Sequence, residues 1–283
     1  MSQKTILSDS HIHSDFSADS FSPMEDMADK ACRLGLSSIC FTEHMDYDFP
    51  PEDGREFVFD IPKYLKRIAV LREKYNNLKI RQGIELGLKP MLAPRLNKLT
   101  SNYPFDFVIG STHLVDEKDP YYISFWDGIS EKQGICSYYE ITHKNILSDT
   151  DFDVYGHIDY ILRYTPAMRQ LVKDNKDTEQ YYDECILNTG EIISEILKKL
   201  IENGKGIEVN SSGLKYGLGY PHPHTWILKR YRELGGEIIT IGSDAHSPDY
   251  IAYSFNDIYK ILLDCGFSYY TIYEDRKPCF IKL

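Results

Sequence analysis

The sequence predicts an α/β fold built on a parallel sheet, either wound open or closed into a barrel. Three observations lead there. Short apolar, β-branched runs alternate with longer helical patterns along the chain. Several of those runs are continuously apolar, as strands buried on both faces are. The 283-residue length suits one α/β barrel, and no low-complexity linker, repeat or composition break divides it, so 1–283 reads as a single domain.

In chain order, the strand candidates are KTILSD (4–9), SSICFTEH (37–44), KIRQGIELG (79–87), FDFVIGSTH (105–113), FDVYGHID (152–159), KGIEVNSS (205–212) and EIITIGSDAH (237–246). Helical patterns fall near 23–35, 61–76, 91–101, 137–149, 179–203, 223–235 and 249–265. Pro23 suits a helix's first turn, and EKYNNLK (73–79) reads as a helix end followed by a turn. The stretch from 184 to 206 has apolar residues at helical spacing, late lysines and Gly204 as its C-terminal cap.

Charge and composition remove several function classes. A net charge of −11 argues against long nucleic acid, whose phosphates need a basic surface, while leaving room for a local basic pocket. No apolar run reaches membrane-spanning length, and Met-Ser-Gln-Lys does not open a signal peptide. The six cysteines form no C-x-x-C pair, and Cys32, Cys40 and Cys265 sit in apolar segments. Reduced core thiols in a cytoplasmic protein are therefore expected. No G-x-G-x-x-G follows the first strand, and no G-x-x-x-x-G-K-[ST] loop occurs anywhere.

Six of the seven strand candidates end in ionisable residues. These are His11 and His13 on the first, Glu43 and His44 on the second, Glu85 on the third, His113 on the fourth, His157 and Asp159 on the fifth, and Asp244 and His246 on the seventh. In a parallel barrel all the carboxyl ends meet on one face, where active sites are built. Residues at i and i+2 leave an extended chain on the same side, so each H-x-H or D-x-H pair can converge. A lone histidine at a strand end is ordinarily a hydrogen-bonded surface residue. Six of nine histidines at equivalent ends do not fit that account. His143 falls in a helical pattern, and His222 and His224 in a Pro-rich loop, YPHPHTW, where a second metal-binding H-x-H is the less favoured reading. Converging imidazoles and carboxylates suit divalent Zn, Mn or Fe. A serine relay lacks its G-x-S-x-G elbow, and a cysteine nucleophile lacks a cysteine at the strand ends.

The ordered set H-x-H (11–13), T-E-H (42–44), G-x-E (83–85), S-x-H (111–113), G-H-x-D (156–159) and S-D-A-H (243–246) resembles the PHP (polymerase and histidinol phosphatase) superfamily over essentially the whole chain. GHIDYILRY (156–164) and IEVNSSGLKYGL (207–218) are similar to its monofunctional histidinol-phosphate phosphatase branch. The resemblance implies a distorted (β/α)7 barrel holding two to three divalent transition-metal ions. It implies one ion on His11, His13, Glu85 and Asp244, and a second on Glu85, His113 and His157. A third would lie on Asp19, His44 and His246. Several relatives have histidine where this chain has Asp19, which leaves the third site's metal open.

Three such ions would bring about six positive charges, against three carboxylate ligands and one hydroxide, leaving about two to face a phosphate dianion. That balance suits phosphate ester hydrolysis, and the resemblance implies L-histidinol phosphate, a small-molecule phosphate monoester, as substrate, attacked by a hydroxide bridging two metals. Glu85, Asp244 and His246 would be its catalytic residues. Arg163 and Lys215 are the expected phosphate-side cations, and Asp159 or Glu43 could orient ligand imidazoles from behind. The segment 114–128, rich in Tyr, Asp and Glu, could contact a cationic amino alcohol. A PHP-type nuclease or nucleotide phosphatase, a metal-dependent amidohydrolase and a non-catalytic PHP module are the alternatives.

Overall fold

A computed structural model describes residues 6–50 and 54–283. Seven parallel strands pair in chain order: β1 (Ser8–Ile12), β2 (Ser38–Met45), β3 (Lys79–Gly87), β4 (Phe107–Ser111), β5 (Val154–Tyr155), β6 (Gly206–Asn210) and β7 (Ile239–Gly242). The residues just beyond β7 meet β1 and bring the sheet round to a nearly closed barrel. Asp244 N–H donates to the His11 carbonyl at 2.8 Å, and His13 N–H to the Ala245 carbonyl at 2.9 Å. The H-x-H and S-D-A-H motifs are thus themselves the seam.

The barrel is irregular in two places. A bulge lies between Asp9 and Ile12 in the pairing of β1 with β2, and β5 is only two residues long. The first strand accordingly lies later than 4–9: His11 is inside it, and residues 4 and 5 fall outside the described part. The fifth and seventh candidates shorten because their polar ends turn out of the ladder to form the site. β1, β2, β4, β6 and β7 are buried throughout, as the unbroken apolar runs imply.

Helices α1 (Met24–Arg33), α2 (Ile61–Lys74), α3 (Ala93–Asn102) and α4 (Glu131–Ile146) cover the first half of the barrel. Pro23 precedes α1 as its cap. Asp60 caps α2 by accepting from Lys63 N–H at 3.0 Å. Tyr64 of α2 pegs β2 to β3, donating to the Phe41 carbonyl at 2.9 Å and accepting from Gly83 N–H at 3.0 Å. α4 starts six residues before the expected 137, because Ser130 and Gln133 close a reciprocal capping box. The second half carries α5 (Pro166–Lys173), α6 (Glu179–Glu202), the single turn α7 (Ser212–Lys215), α8 (Thr225–Glu233) and α9 (Phe255–Asp264). Gly204, at φ +67°, lies just past the end of α6, where the left-handed backbone favours glycine.

The antiparallel hairpin β8 (Tyr269–Glu274) and β9 (Lys277–Lys282) was not anticipated. It closes the end of the barrel opposite the site. Tyr273 stacks on Phe107 at 5.1 Å, and its carbonyl accepts from the buried Arg81 guanidinium at 3.2 Å. Arg81 also donates to Ser8 Oγ at 2.6 Å. All six cysteines are free, and Cys40, Cys185 and Cys265 are buried. Cys32 is exposed, contrary to the core position expected of it, because α1 turns it away from its buried Met27, Ala28 and Ala31 stripe. Among the described residues no helix is long and apolar enough to cross a membrane.

Candidate metal centre at the carboxyl ends of the strands

β1, β2, β3 and the segments after β4, β5 and β7 carry their ionisable residues into one buried cluster. Glu85 of β3 stands at its middle. Its Oε2 lies 3.2 Å from His11 Nε2, 3.5 Å from His13 Nε2 and 3.1 Å from His44 Nδ1. Its Oε1 lies 2.9 Å from His157 Nε2 and 3.2 Å from His113 Nε2, and accepts from Ser111 Oγ at 2.8 Å. Asp244, in the left-handed region at φ 53°, turns its Oδ1 to 3.3 Å from His13 Nε2 and 3.7 Å from His11 Nε2. On the outer side Asp19 Oδ2 approaches His246 Nε2 at 3.2 Å and His44 Nε2 at 3.6 Å. All nine expected ligand residues therefore come together.

Three groups of ligand atoms are close enough to share an ion: His11, His13 and Glu85; His44, Glu85 and His113; and His13, His44 and His246. Each leaves out one residue implied for it, Asp244, His157 and Asp19 in turn, although these lie 3.3, 2.9 and 3.2 Å from a member of their trio. His44 stands beside His113 where His157 was placed, and His13 joins His44 and His246 where Asp19 was placed. The stacked rings explain this, since His13 lies 4.3 Å from His44 and 4.2 Å from His246 between centroids. Buried Asp19 Oδ1 and His246 Nε2 make no hydrogen bond in the protein. Buried polar atoms ordinarily have one, so these donors fit a cation-binding role.

Electrostatics matches that reading. Burial alone would lower His11, but Glu208, Glu85 and Asp244 override it and hold the imidazole well above its ordinary value. Burial likewise opposes, and Asp46 and Glu85 outweigh it, at His113, which is also raised. His44 is pushed up to about 9, because Asp19 and Glu85 prevail over burial. His13 is held well below its ordinary value by burial and then by His246 and His44. Burial would raise Glu85 and Asp244, yet the surrounding imidazoles hold both well below the usual carboxylate range. Without metal, the raised imidazoles of His11, His44 and His113 face the lowered carboxylates of Glu85 and Asp244, and an incoming cation must displace their protons.

Behind the cluster lie groups that hold its imidazoles. Asp46 accepts from His113 Nδ1 at 2.5 Å, and Glu208 from His11 Nδ1 at 2.6 Å. Ser17 Oγ contacts His13 Nδ1 at 3.0 Å and donates to Glu43 at 2.6 Å, so Glu43 acts on a ligand through a serine. Asp159 takes no such part. Its carboxylate binds His222 Nδ1 at 2.5 Å and His224 N–H at 2.8 Å, joining the loops after β5 and β6. His224 Nε2 lies 3.1 Å from Glu179, and among the described residues His222 and His224 join no group of ligand atoms close enough to share an ion, so the loop H-x-H is not a second metal site. Asp46 and Glu208 were missed. Asp46 had a signal, since it stands two residues after His44 in an extended run. Glu208 had another, as an acid inside the apolar run of β6.

Above the cluster opens a cavity of about 330 Å³. Asp19, His44, His113, His157, Asp244 and His246 line its floor, and Arg163, Tyr160, Tyr164 and Tyr216 one wall. Arg163 hydrogen-bonds the Tyr164 hydroxyl and lies 4.2 Å from the Tyr216 ring centre. Despite burial, those neighbouring phenols raise its already high pKa further, so it is a permanent cation. Lys215 does not line the cavity. It packs over Tyr250 at 3.8 Å, and burial lowers its pKa. Asp119, Tyr121 and Tyr122 of the 114–128 segment do reach the cavity, and Arg55, not singled out from sequence, is a second cation there.

Fold and cluster define the class first: a parallel α/β barrel whose strand ends carry imidazoles and carboxylates able to hold metal ions. Residues 9–212 match the PHP domain family. A "Probable histidinol-phosphatase" of Clostridium acetobutylicum is 32% identical over 92% of this chain and 94% of its own length. The crystal structure of a Lactococcus lactis histidinol phosphate phosphatase, complexed with zinc, L-histidinol and phosphate, superposes with a TM-score of 0.84 at 27% identity. That likeness covers 98% of this chain and 100% of the other. A solved protein of Listeria monocytogenes, 20% identical with a TM-score of 0.73 over 88% of this chain and 99% of its own, is alike in fold. The chain belongs to the PHP domain family.

Proposed function

We propose that this chain, as a single PHP-type domain over 1–283, is a metal-dependent phosphatase hydrolysing L-histidinol phosphate to L-histidinol and phosphate in histidine biosynthesis. One observation carries the reading: nine ligand-type side chains, Glu85 at their middle, meet directly beneath a cavity walled by a guanidinium and tyrosines. The zinc, histidinol and phosphate in the Lactococcus lactis structure support it.

In this reading the centre takes two to three divalent ions, Zn, Mn or Fe, on the nine residues of the cluster. Glu85 would serve the inner two, since its two oxygens face His11 and His13 on one side and His113 and His157 on the other. Asp19, His44 and His246 would hold a third, nearer the cavity. Bound ions of this kind lower the pKa of coordinated water to about 7 and offset charge on phosphate oxygens. Glu85, Asp244 and His246 set where phosphate and water lie, and Arg163 offers a planar fork to two phosphate oxygens. Asp119 and the tyrosines beside it present an acidic, aromatic surface to a cationic amino alcohol. The cytoplasm is the proposed compartment, and six free cysteines support a reducing one.

The test is turnover of metal-loaded protein on histidinol phosphate, other phosphorylated metabolites and a short single-stranded oligonucleotide. Histidinol phosphate should give the highest kcat/KM. Preference for the oligonucleotide or a nucleotide would make this a PHP nuclease or nucleotide phosphatase instead.

A further inference from the structure

Glu208 of β6 is almost wholly buried and reaches the cluster from the side away from the cavity. One carboxylate oxygen lies 2.6 Å from His11 Nδ1. The other accepts from His157 N–H at 3.0 Å and from Asn210 Nδ2 at 3.2 Å. Asn210 in turn reaches Asp244 Oδ2 at 3.4 Å. Every neighbour of this carboxylate thus belongs to, or touches, a different strand's contribution to the cluster.

Two glycines keep the space open. A Cβ on Gly242 would come within 2.4 Å of Glu208 Oε1 and 2.3 Å of His11 Cβ. A Cβ on Gly156 would lie 2.5 Å from Ser111 Oγ and 3.6 Å from Glu208 Oε2. Burying a carboxylate is costly unless donors satisfy it, and here each donor is tied to the centre.

We infer that Glu208 is a positioning residue that fixes the proton of His11 on Nδ1, so that Nε2 is presented to a metal, while anchoring the segment that carries His157. The inference rests on the metal-centre reading above. A carboxylate is an acceptor only, so the His11 nitrogen facing it must carry the proton. Once its own proton is displaced, the opposite nitrogen, Nε2, offers its lone pair among Glu85, His13 and Asp244. Such outer partners set tautomer and ring orientation, and losing one typically costs about 10- to 100-fold in metal affinity.

Glu208→Gln keeps the shape and removes one acceptor. If its oxygen stays on His157 N–H, its amide N–H meets His11 Nδ1 and drives the proton to Nε2, blocking the metal. If the oxygen turns to His11 instead, the amide N–H opposes His157 N–H and that segment shifts. The experiment compares zinc binding, by chelator competition, to metal-free wild type and Glu208→Gln. Nitrogen NMR on zinc-loaded wild type reads the tautomer of His11. The expected result is one zinc site weakened about 10- to 100-fold in the variant, and a protonated Nδ1 on His11. Wild type that takes up no zinc would sink the metal-centre reading itself. Zinc-binding wild type matched by the variant in affinity and stoichiometry, or an unprotonated His11 Nδ1, would overturn the inference alone. The NMR result decides it even if the variant does not fold.

Discussion

Both oxygens of Glu85 are committed, one toward His11, His13 and His44, the other toward His113 and His157. An amide cannot supply two anionic oxygens, so Glu85→Gln should retain the fold but lose metal and lower turnover by orders of magnitude. Elemental analysis with steady-state kinetics checks this, and near-normal turnover at full metal content would refute the shared-ligand role. Arg163 is a separate case, because it faces the cavity from a tyrosine nest and its hydrogen bond goes to Tyr164. Arg163→Met should leave the metals bound and lower kcat/KM roughly 30- to 150-fold, the worth of a charged hydrogen bond of about 2 to 3 kcal/mol. Inorganic phosphate should inhibit the variant less well. Unchanged kinetics and unchanged inhibition would return Arg163 to a structural part. The imidazoles give a pH prediction with a definite sign. His44 is pushed up to about 9 without metal, so its imidazolium pairs stabilise the metal-free fold fully below its unfolded value of about 6.5. That stability is lost as pH rises from about 6.5 through 9, while loss of the same protons favours metal binding. The thermal midpoint of metal-free protein should therefore fall over this range, and the increment from added zinc should grow. An increment independent of pH would contradict the assignment.

Among the elements, the hairpin β8–β9 is the largest part of the fold that sequence reading did not yield. Its residues alternate weakly, and its strands lie outside the parallel ladder, so no βα rhythm marks them. Arg276, in the hairpin turn at φ 61°, binds Asp151 at 3.0 Å and Asp153 at 2.7 Å ahead of β5. Asp153 is buried and also accepts from Val108 N–H at 2.8 Å, so removing its cation leaves a poorly solvated charge. Arg276→Met should cost about 1 to 3 kcal/mol of stability with kcat unchanged, which denaturant titration and kinetics would separate; an equal loss of kcat would mean the two ends of the barrel are coupled. The strand ends were legible for the opposite reason. His and Asp two residues apart at the end of an apolar run have few structural uses, and the bridge between β1 and the residues just beyond β7 brings two such runs together. Which imidazoles share an ion was less legible, since His13 stacks between His44 and His246 only once the barrel closes.

For the whole molecule, the nearly closed barrel turns residues from three strands and from the segments after three others into one buried cluster. The sequence order of the motifs foretold that convergence, but not what lies behind it. Asp46 and Glu208 add two carboxylates to the charge balance drawn from the ligands alone, so the cluster's surplus positive charge is smaller than that balance suggests. Attraction of a phosphate dianion then leans more on the cations of the cavity wall, Arg163 and Arg55. The net charge of −11 adds no long-range pull, which fits a small substrate held by local contacts. The most direct test of the account is to strip the protein with chelator, restore Zn, Mn or Fe in turn, and measure bound metal and histidinol phosphate turnover on the same sample. The account predicts no turnover when stripped, and two to three ions per chain with turnover returning as they bind. Full activity in the stripped protein, or fewer than two ions after repletion, would contradict it.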